Sequence, residues 1–123
     1  MKQISTNNAP AAIGPYSQAI VSGNLVYCSG QIPLNPQTGL IPEGVEQQAH
    51  QALTNVKNLL EASGTSIDKV IKTSVFIKDM NDFSKINEIY AQYFTEPFPA
   101  RSCVEVARLP KDVLIEIEVI AEV

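Results

Sequence analysis

The reading of this chain turns on Pro99-Ala100-Arg101-Ser102-Cys103-Val104-Glu105-Val106-Ala107-Arg108-Leu109-Pro110-Lys111-Asp112, followed by Ile115-Glu116-Ile117-Glu118-Val119. Apolar and polar residues alternate from Ser102 to Val106. They alternate again from Val113 to Val123, where the odd positions are Val, Ile, Ile, Val, Ala and Val. A period of two describes a strand with one buried face. Pro110 presets the backbone angle for the second position of a tight turn. The segment therefore predicts a hairpin in which Val106 pairs with Ile115 and Val104 with Ile117. One face then carries the valines and isoleucines. The other carries Arg101, Cys103, Glu105, Glu116, Glu118 and Ile120. Pattern alone makes that second face a solvated sheet surface, yet its side chains are chemically loaded.

Working outward, residues 1–5 predict a short edge strand, and Asn7–Gly14 an ordered loop ending at Tyr16. Ser17–Val21 and Leu25–Ser29 predict a hairpin through Ser22-Gly23-Asn24. Gly30 marks a bulge or a close approach to the backbone. Pro33, Pro36, Gly39, Pro42 and Gly44 mark a long loop. Val45, Ala49, Ala52, Leu53, Val56, Leu59 and Leu60 form one apolar stripe of a helix over 45–62, with Gly64 as its stop. His50 falls at the stripe's edge and reads as a boundary residue, not a base. Val70–Lys78 is β-branched and aromatic on both faces and predicts a central strand buried on both sides. Asp79-Met80-Asn81-Asp82 offers capping for a second helix, with Phe83, Ile86, Tyr90 and Phe94 as its stripe. Asn87 points away from the stripe centre, toward solvent on pattern alone. The order predicts an α+β sandwich, with both helices on one face of a mixed or antiparallel sheet. The half-apolar opposite face, with Leu114, Ile120 and Phe76, is a candidate interface.

The 123 residues suit one domain, 1–123. The net charge of −4 and the absence of a basic run argue against nucleic-acid binding. No stretch nears the ~18 apolar residues of a membrane span. No secretion signal is visible, so Cys28 and Cys103 read as free thiols in a cytoplasmic protein. One histidine and no His/Cys cluster predict no metal site. The absence of a Gly-rich phosphate loop leaves no cofactor expected. Arg101 is the strongest anion-binding candidate, since a guanidinium grips a carboxylate through two parallel bonds. Glu116 or Glu118 suits a proton shuttle. Cys103 sits beside a cation, but without a neighbouring base and with Glu105 and Glu118 on its face it is a poor nucleophile.

Residues Pro99–Asp112 with Ile115–Glu118 closely resemble the signature of the RidA/YjgF family of enamine/imine deaminases. Ala9-Pro10-Ala11-Ala12-Ile13-Gly14-Pro15-Tyr16-Ser17-Gln18 and Ser29-Gly30-Gln31-Ile32-Pro33 agree with it, as does Val75–Phe83 followed by Asn87. The resemblance covers essentially the whole chain. It implies a chorismate-mutase-like fold, a homotrimer, and cofactor-independent hydrolysis of 2-imino acids or their enamines to 2-keto acids and ammonia. It implies that Arg101 clamps the substrate carboxylate and Glu116 positions the water. It further implies that Ser29 and Gly30 line the pocket, Cys103 contacts substrate, Tyr16 closes over it and Asn87 frames the wall. The segment Phe94–Pro99 is a few residues shorter than in some relatives. In the hairpin register Arg101 lies opposite Ile120, about 13 Å along the strand from Glu116. The site is therefore expected at a subunit interface, with Tyr16 supplied by the neighbour. Two other classes stand beside the enzyme: a non-catalytic sensor of 2-keto acids or amino acids, and a ribonuclease or translation inhibitor.

Overall fold

The computed structural model describes all residues, 1–123. Six strands form one mixed sheet: β1 (Lys2–Ile4), β2 (Ala19–Ser22), β3 (Leu25–Gln31), β4 (Val70–Ile77), β5 (Ala100–Glu105) and β6 (Ile115–Glu122), in the order β1-β2-β3-β6-β4-β5. Helices α1 (Val45–Ala62) and α2 (Phe83–Tyr90) complete an α+β fold.

Local chemistry accounts for the well-predicted elements. β2 and β3 form the expected hairpin, and Gly23 takes the positive φ of 61° that its turn requires. α1 buries the expected stripe, including Ala49, Ala52, Val56, Leu59 and Leu60. Gly64, at φ 85°, follows the helix as its stop. His50 is a boundary residue whose Nδ1 lies 2.9 Å from the Tyr93 hydroxyl. Asp79 caps the turn before α2 by accepting a hydrogen bond from Asn81 N. α2 ends at Tyr90, yet Phe94 stays in the core and packs on Tyr90 with ring centroids 4.4 Å apart.

The β5–β6 hairpin does not form. β4 lies between the two strands. It pairs antiparallel with β6 (Val75 opposite Ile117) and parallel with β5 (Thr73 beside Arg101). The linker from Val106 to Leu114 crosses the end of β4 rather than turning tightly. Leu109 and Val113 anchor it in the interior, and Lys111 and Asp112 take positive φ angles of 55° and 56°. β4, α2 and β5 instead make a β-α-β crossover, which joins parallel neighbours. Period two sorts a strand's side chains into two faces and leaves open both its neighbour and, in β5, which face is covered.

This correction turns β5 over relative to β6. In β6 the core face carries Ile115, Ile117, Val119 and Ala121, and Glu116, Glu118 and Ile120 face the other way. Parallel register puts Arg101, Cys103 and Glu105 on the same side as Thr73, Val75 and Ile77, which is the helix-covered side. Arg101 and Glu116 therefore lie on opposite faces of the sheet, not on one. β4 is likewise buried on one face alone within the chain. Lys72, Ser74 and Phe76 are half-buried on the open face, joined by Ile120, Tyr27 and Val104, the last two 46% exposed. Leu114, expected there too, packs against the core cluster.

Candidate active site

The predicted site residues fall into two groups. Tyr16, Ser29, Gly30 and Glu116 line one cavity of about 620 Å³, walled by the 10–16 loop and by Pro110 and Lys111. Arg101, Asn87 and Cys103 are absent from it and gather on the other side of the sheet, against α2.

The cavity is built largely from backbone. The β3–β6 register shifts between Cys28 and Gln31, the bulge expected at Gly30. The Glu116 side chain occupies the space beside the glycine. A Cβ there would sit 2.8 Å from both Cδ and Oε2 of Glu116, so the carboxyl group lies directly on the Gly30 backbone. Ser29 is fixed at this bend by donating its hydroxyl to Ser17 O at 2.6 Å. The buried Gln18 organises the facing loop. Its Nε2 lies within 2.8–3.3 Å of the carbonyls of Thr6, Ala9 and Pro10, and its Oε1 accepts from Thr6 N at 2.7 Å. Tyr16 projects at the rim, 52% exposed, and its hydroxyl accepts from Ile13 N at 3.4 Å. Burial raises the Glu116 pKa above the ordinary carboxylate range, and neighbouring Glu118 adds to the rise. A carboxyl shifted in this direction holds a proton more readily than a free one, which suits it to both taking and returning a proton.

The second group is built from side chains. Arg101 Nη1 donates to Asn87 Oδ1 at 2.8 Å. The guanidinium carbon lies 4.8 Å from the Tyr90 ring centroid and 5.4 Å from that of Phe83. The chain's one salt bridge, Arg108–Asp112, is elsewhere, so no carboxylate of this chain neutralises half-buried Arg101. Cys103 is next to it, and burial raises the thiol pKa by more than Arg101 lowers it. The thiol form is favoured, in line with its weak case as a nucleophile. Cys28, in the core, is pushed up to about 12 by burial.

Asn87 was expected to face solvent on pattern alone; it binds Arg101 instead. Phe83 and Tyr90 read as plain core because aromatic residues on a helix stripe look alike, and Thr73 as one more residue of a buried strand. The one available signal was the polar hydroxyl of Tyr90 on that buried stripe. Gln18 was hidden in a loop-end motif, and Lys111 in a turn. No group of three or more His, Cys, Asp or Glu side chains is arranged to hold a metal ion. No helix is long and apolar enough to cross a membrane.

A fold with this strand order, an Arg–Asn pair on α2 and β5, and a Ser-Gly bulge under a glutamate is matched at the level of sequence. The family model described as endoribonuclease L-PSP covers residues 6–123, and the chain belongs to this family, the RidA/YjgF family. Among curated relatives, the 2-iminobutanoate/2-iminopropanoate deaminase of Escherichia coli (strain K12) is 58% identical, over 98% of this chain and 96% of its own length. Among solved structures, E. coli TdcF with bound serine is 52% identical with a TM-score of 0.95, covering 100% of this chain and 99% of that one. RidA from the Antarctic bacterium Psychrobacter sp. PAMC 21119 is 44% identical with a TM-score of 0.97 and full coverage of both chains.

Proposed function

We propose that this protein is a 2-iminobutanoate/2-iminopropanoate deaminase. It hydrolyses small 2-imino acids, or their enamine tautomers, to 2-keto acids and ammonia. It would act as a single-domain cytoplasmic enzyme without a cofactor, clearing reactive products of pyridoxal-phosphate enzymes. The observation that carries the reading is Arg101: a half-buried cation, stacked on two rings and bonded to a neutral amide, with no carboxylate of its own chain. A guanidinium left in that state is suited to a substrate carboxylate.

Because Arg101 and Glu116 face opposite sides of the sheet, the complete site takes two copies of the chain. One supplies Arg101, Asn87 and Cys103. Its neighbour supplies Glu116, Ser29, Gly30 and Tyr16. Tyr16 thus comes from the subunit that provides Glu116, not from a third source. The apolar open face with Tyr27, Phe76, Val104 and Ile120 is the surface on which copies would meet, in a homotrimer as the family resemblance implies.

In the reaction, Arg101 holds the substrate carboxylate and sets the imine carbon beside a water at Glu116. The Glu116 carboxylate takes a proton from that water as its oxygen bonds to the imine carbon. The protonated carboxyl then returns the proton to the amine nitrogen. The C–N bond breaks, ammonia leaves, and the hydroxyl gives its proton to the regenerated Glu116 carboxylate as its oxygen becomes the keto oxygen. An imine is already electrophilic once protonated, so positioning provides most of the effect, with about 10²–10⁴-fold from acid–base help.

The test is a coupled assay in which a serine or threonine dehydratase generates the imine. The wild type is expected to accelerate keto acid release. Arg101→Ala and Glu116→Gln are expected to lose about 10²-fold or more in kcat/KM. Unchanged rates in Arg101→Ala would remove the carboxylate clamp. A second reading, a non-catalytic sensor of 2-keto or amino acids, draws on the serine bound to TdcF. It predicts ligand binding by both wild type and Glu116→Gln, with no activity in either.

A further inference from the structure

Phe83, Asn87 and Tyr90 stand at i, i+4 and i+7 of α2, on one helix face, and all three touch the guanidinium of Arg101. Tyr90 is 7% exposed, and its hydroxyl is 2.8 Å from Thr73 Oγ1. Thr73 is itself the register partner of Arg101 on the adjacent strand. The ring is thus tied to the strand beside the one that carries the arginine. The Phe94 ring packs on it, with centroids 4.4 Å apart. The hydrogen bond to Asn87 occupies Nη1. No other protein acceptor within the chain engages Nε or Nη2, so these donors remain for a ligand.

We propose that Tyr90, with Phe83, is a positioning residue. The two rings fix the plane of the Arg101 guanidinium, so that its free edge meets a carboxylate as a preformed fork. The ring stack thereby sets the preference for 2-keto and 2-imino carboxylates over neutral analogues. This rests on the reading of Arg101 as the substrate clamp. The physical basis is that an arginine free to rotate loses side-chain entropy on binding, and a stacked one has already lost it. Cation–π contact at a partly desolvated site is large enough to hold the plane. The Tyr90 hydroxyl is engaged by Thr73, so the ring face and not the hydroxyl is assigned to Arg101. Lysine offers neither plane nor fork, so Arg101→Lys is not expected to rescue affinity.

The experiment is calorimetric titration of the full-length protein with 2-oxobutanoate and with its neutral amide, 2-oxobutanamide. The expected result has three parts. Tyr90→Leu and Phe83→Leu each bind 2-oxobutanoate about tenfold more weakly, with the amide affinity unchanged. Tyr90→Phe keeps wild-type affinity for both ligands while melting at a lower temperature, because Thr73 loses its partner. In the coupled assay the two leucine variants show a raised KM with little change in kcat. The proposal is overturned if both leucine variants bind the carboxylate as the wild type does, or lose both ligands in equal measure. It is also overturned if Tyr90→Phe loses as much as Tyr90→Leu. Phe83 is only half-buried, so Phe83→Leu gives the answer even if Tyr90→Leu fails to fold. If Arg101→Ala keeps wild-type affinity for 2-oxobutanoate, the clamp reading itself fails and takes the platform with it. If Arg101→Ala loses affinity and the ring variants do not, the platform alone fails.

Discussion

The Arg101 group and the Glu116 cavity are built on different principles. Around Arg101, side chains from α2, β4 and β5 stack and bond to hold one cation. Around Glu116, a backbone bulge and a loop held by one glutamine leave room for one carboxyl. A site made by side chains loses its contributors one at a time. A site made by backbone approach is disturbed at a single added carbon, which forces the carboxyl to shift.

The sharpest way to break this contrast is Gly30→Ala. Its Cβ would fall 2.8 Å from the Glu116 carboxyl, inside any normal contact, so the carboxyl must move. A loss of about 10²-fold or more in kcat/KM is expected. A variant with wild-type kinetics would show that Glu116 moves aside without loss, and the backbone-built description would be wrong. The next effect is on stability. Gln18→Ala orphans carbonyls of the 6–10 segment, of which that of Ala9 is buried with it. About 2 kcal/mol should be lost in urea unfolding. The same variant should loosen the Tyr16 loop, seen as faster proteolysis within residues 7–16. Third comes Asn87→Ala, which removes one charge-assisted hydrogen bond from Arg101 and leaves both rings. About a tenfold rise in KM is expected, clearly milder than Arg101→Ala. Equality of the two would mean that Arg101 is positioned by Asn87 alone.

The smallest effect is in pH dependence. Burial holds the Glu116 carboxyl above its ordinary range. A raised folded-state pKa favours the protonated form. Its contribution to stability is full below the unfolded carboxyl pKa and is lost as pH rises through the folded value. Glu116→Gln has no such loss. Its melting temperature relative to wild type should climb from the ordinary carboxylate range upward and then level off. Asp68 and Asp112, whose pKa values are lowered, are shared by both proteins and cancel in the difference. A difference that stays flat with pH would show that Glu116 does not titrate differently in the fold.

Most local structure was legible in the residues. The stripe of α1, the Gly23 turn and the bulge at Gly30 follow from short-range rules and stand where they were expected, whereas the expected helix cap at Asp79 serves the turn before α2. The two thiols are free, and Cys103 is held as a thiol by burial. Arg101 was legible as the anion-binding candidate because a guanidinium is always charged and grips a carboxylate through two parallel bonds. The neighbours that orient it were not. Tyr90 and Phe83 follow the same spacing as any core aromatic, and helical periodicity does not say which strand residue the stripe will meet.

The sequence by itself determined which face of β6 is buried, where α1 runs, and the family to which the chain belongs. Each of these rests on contacts between residues close in sequence, or on motifs read directly. Only the tertiary structure decided that β4 enters between β5 and β6. That choice puts Arg101 and Glu116 on opposite faces of one sheet. The physical reason is that ladder hydrogen bonds join backbone to backbone and are alike for all residues. Alternation therefore orients a strand without naming its neighbour. The neighbour follows from the crossovers through α1 and α2, and from burying both helix stripes on one continuous face.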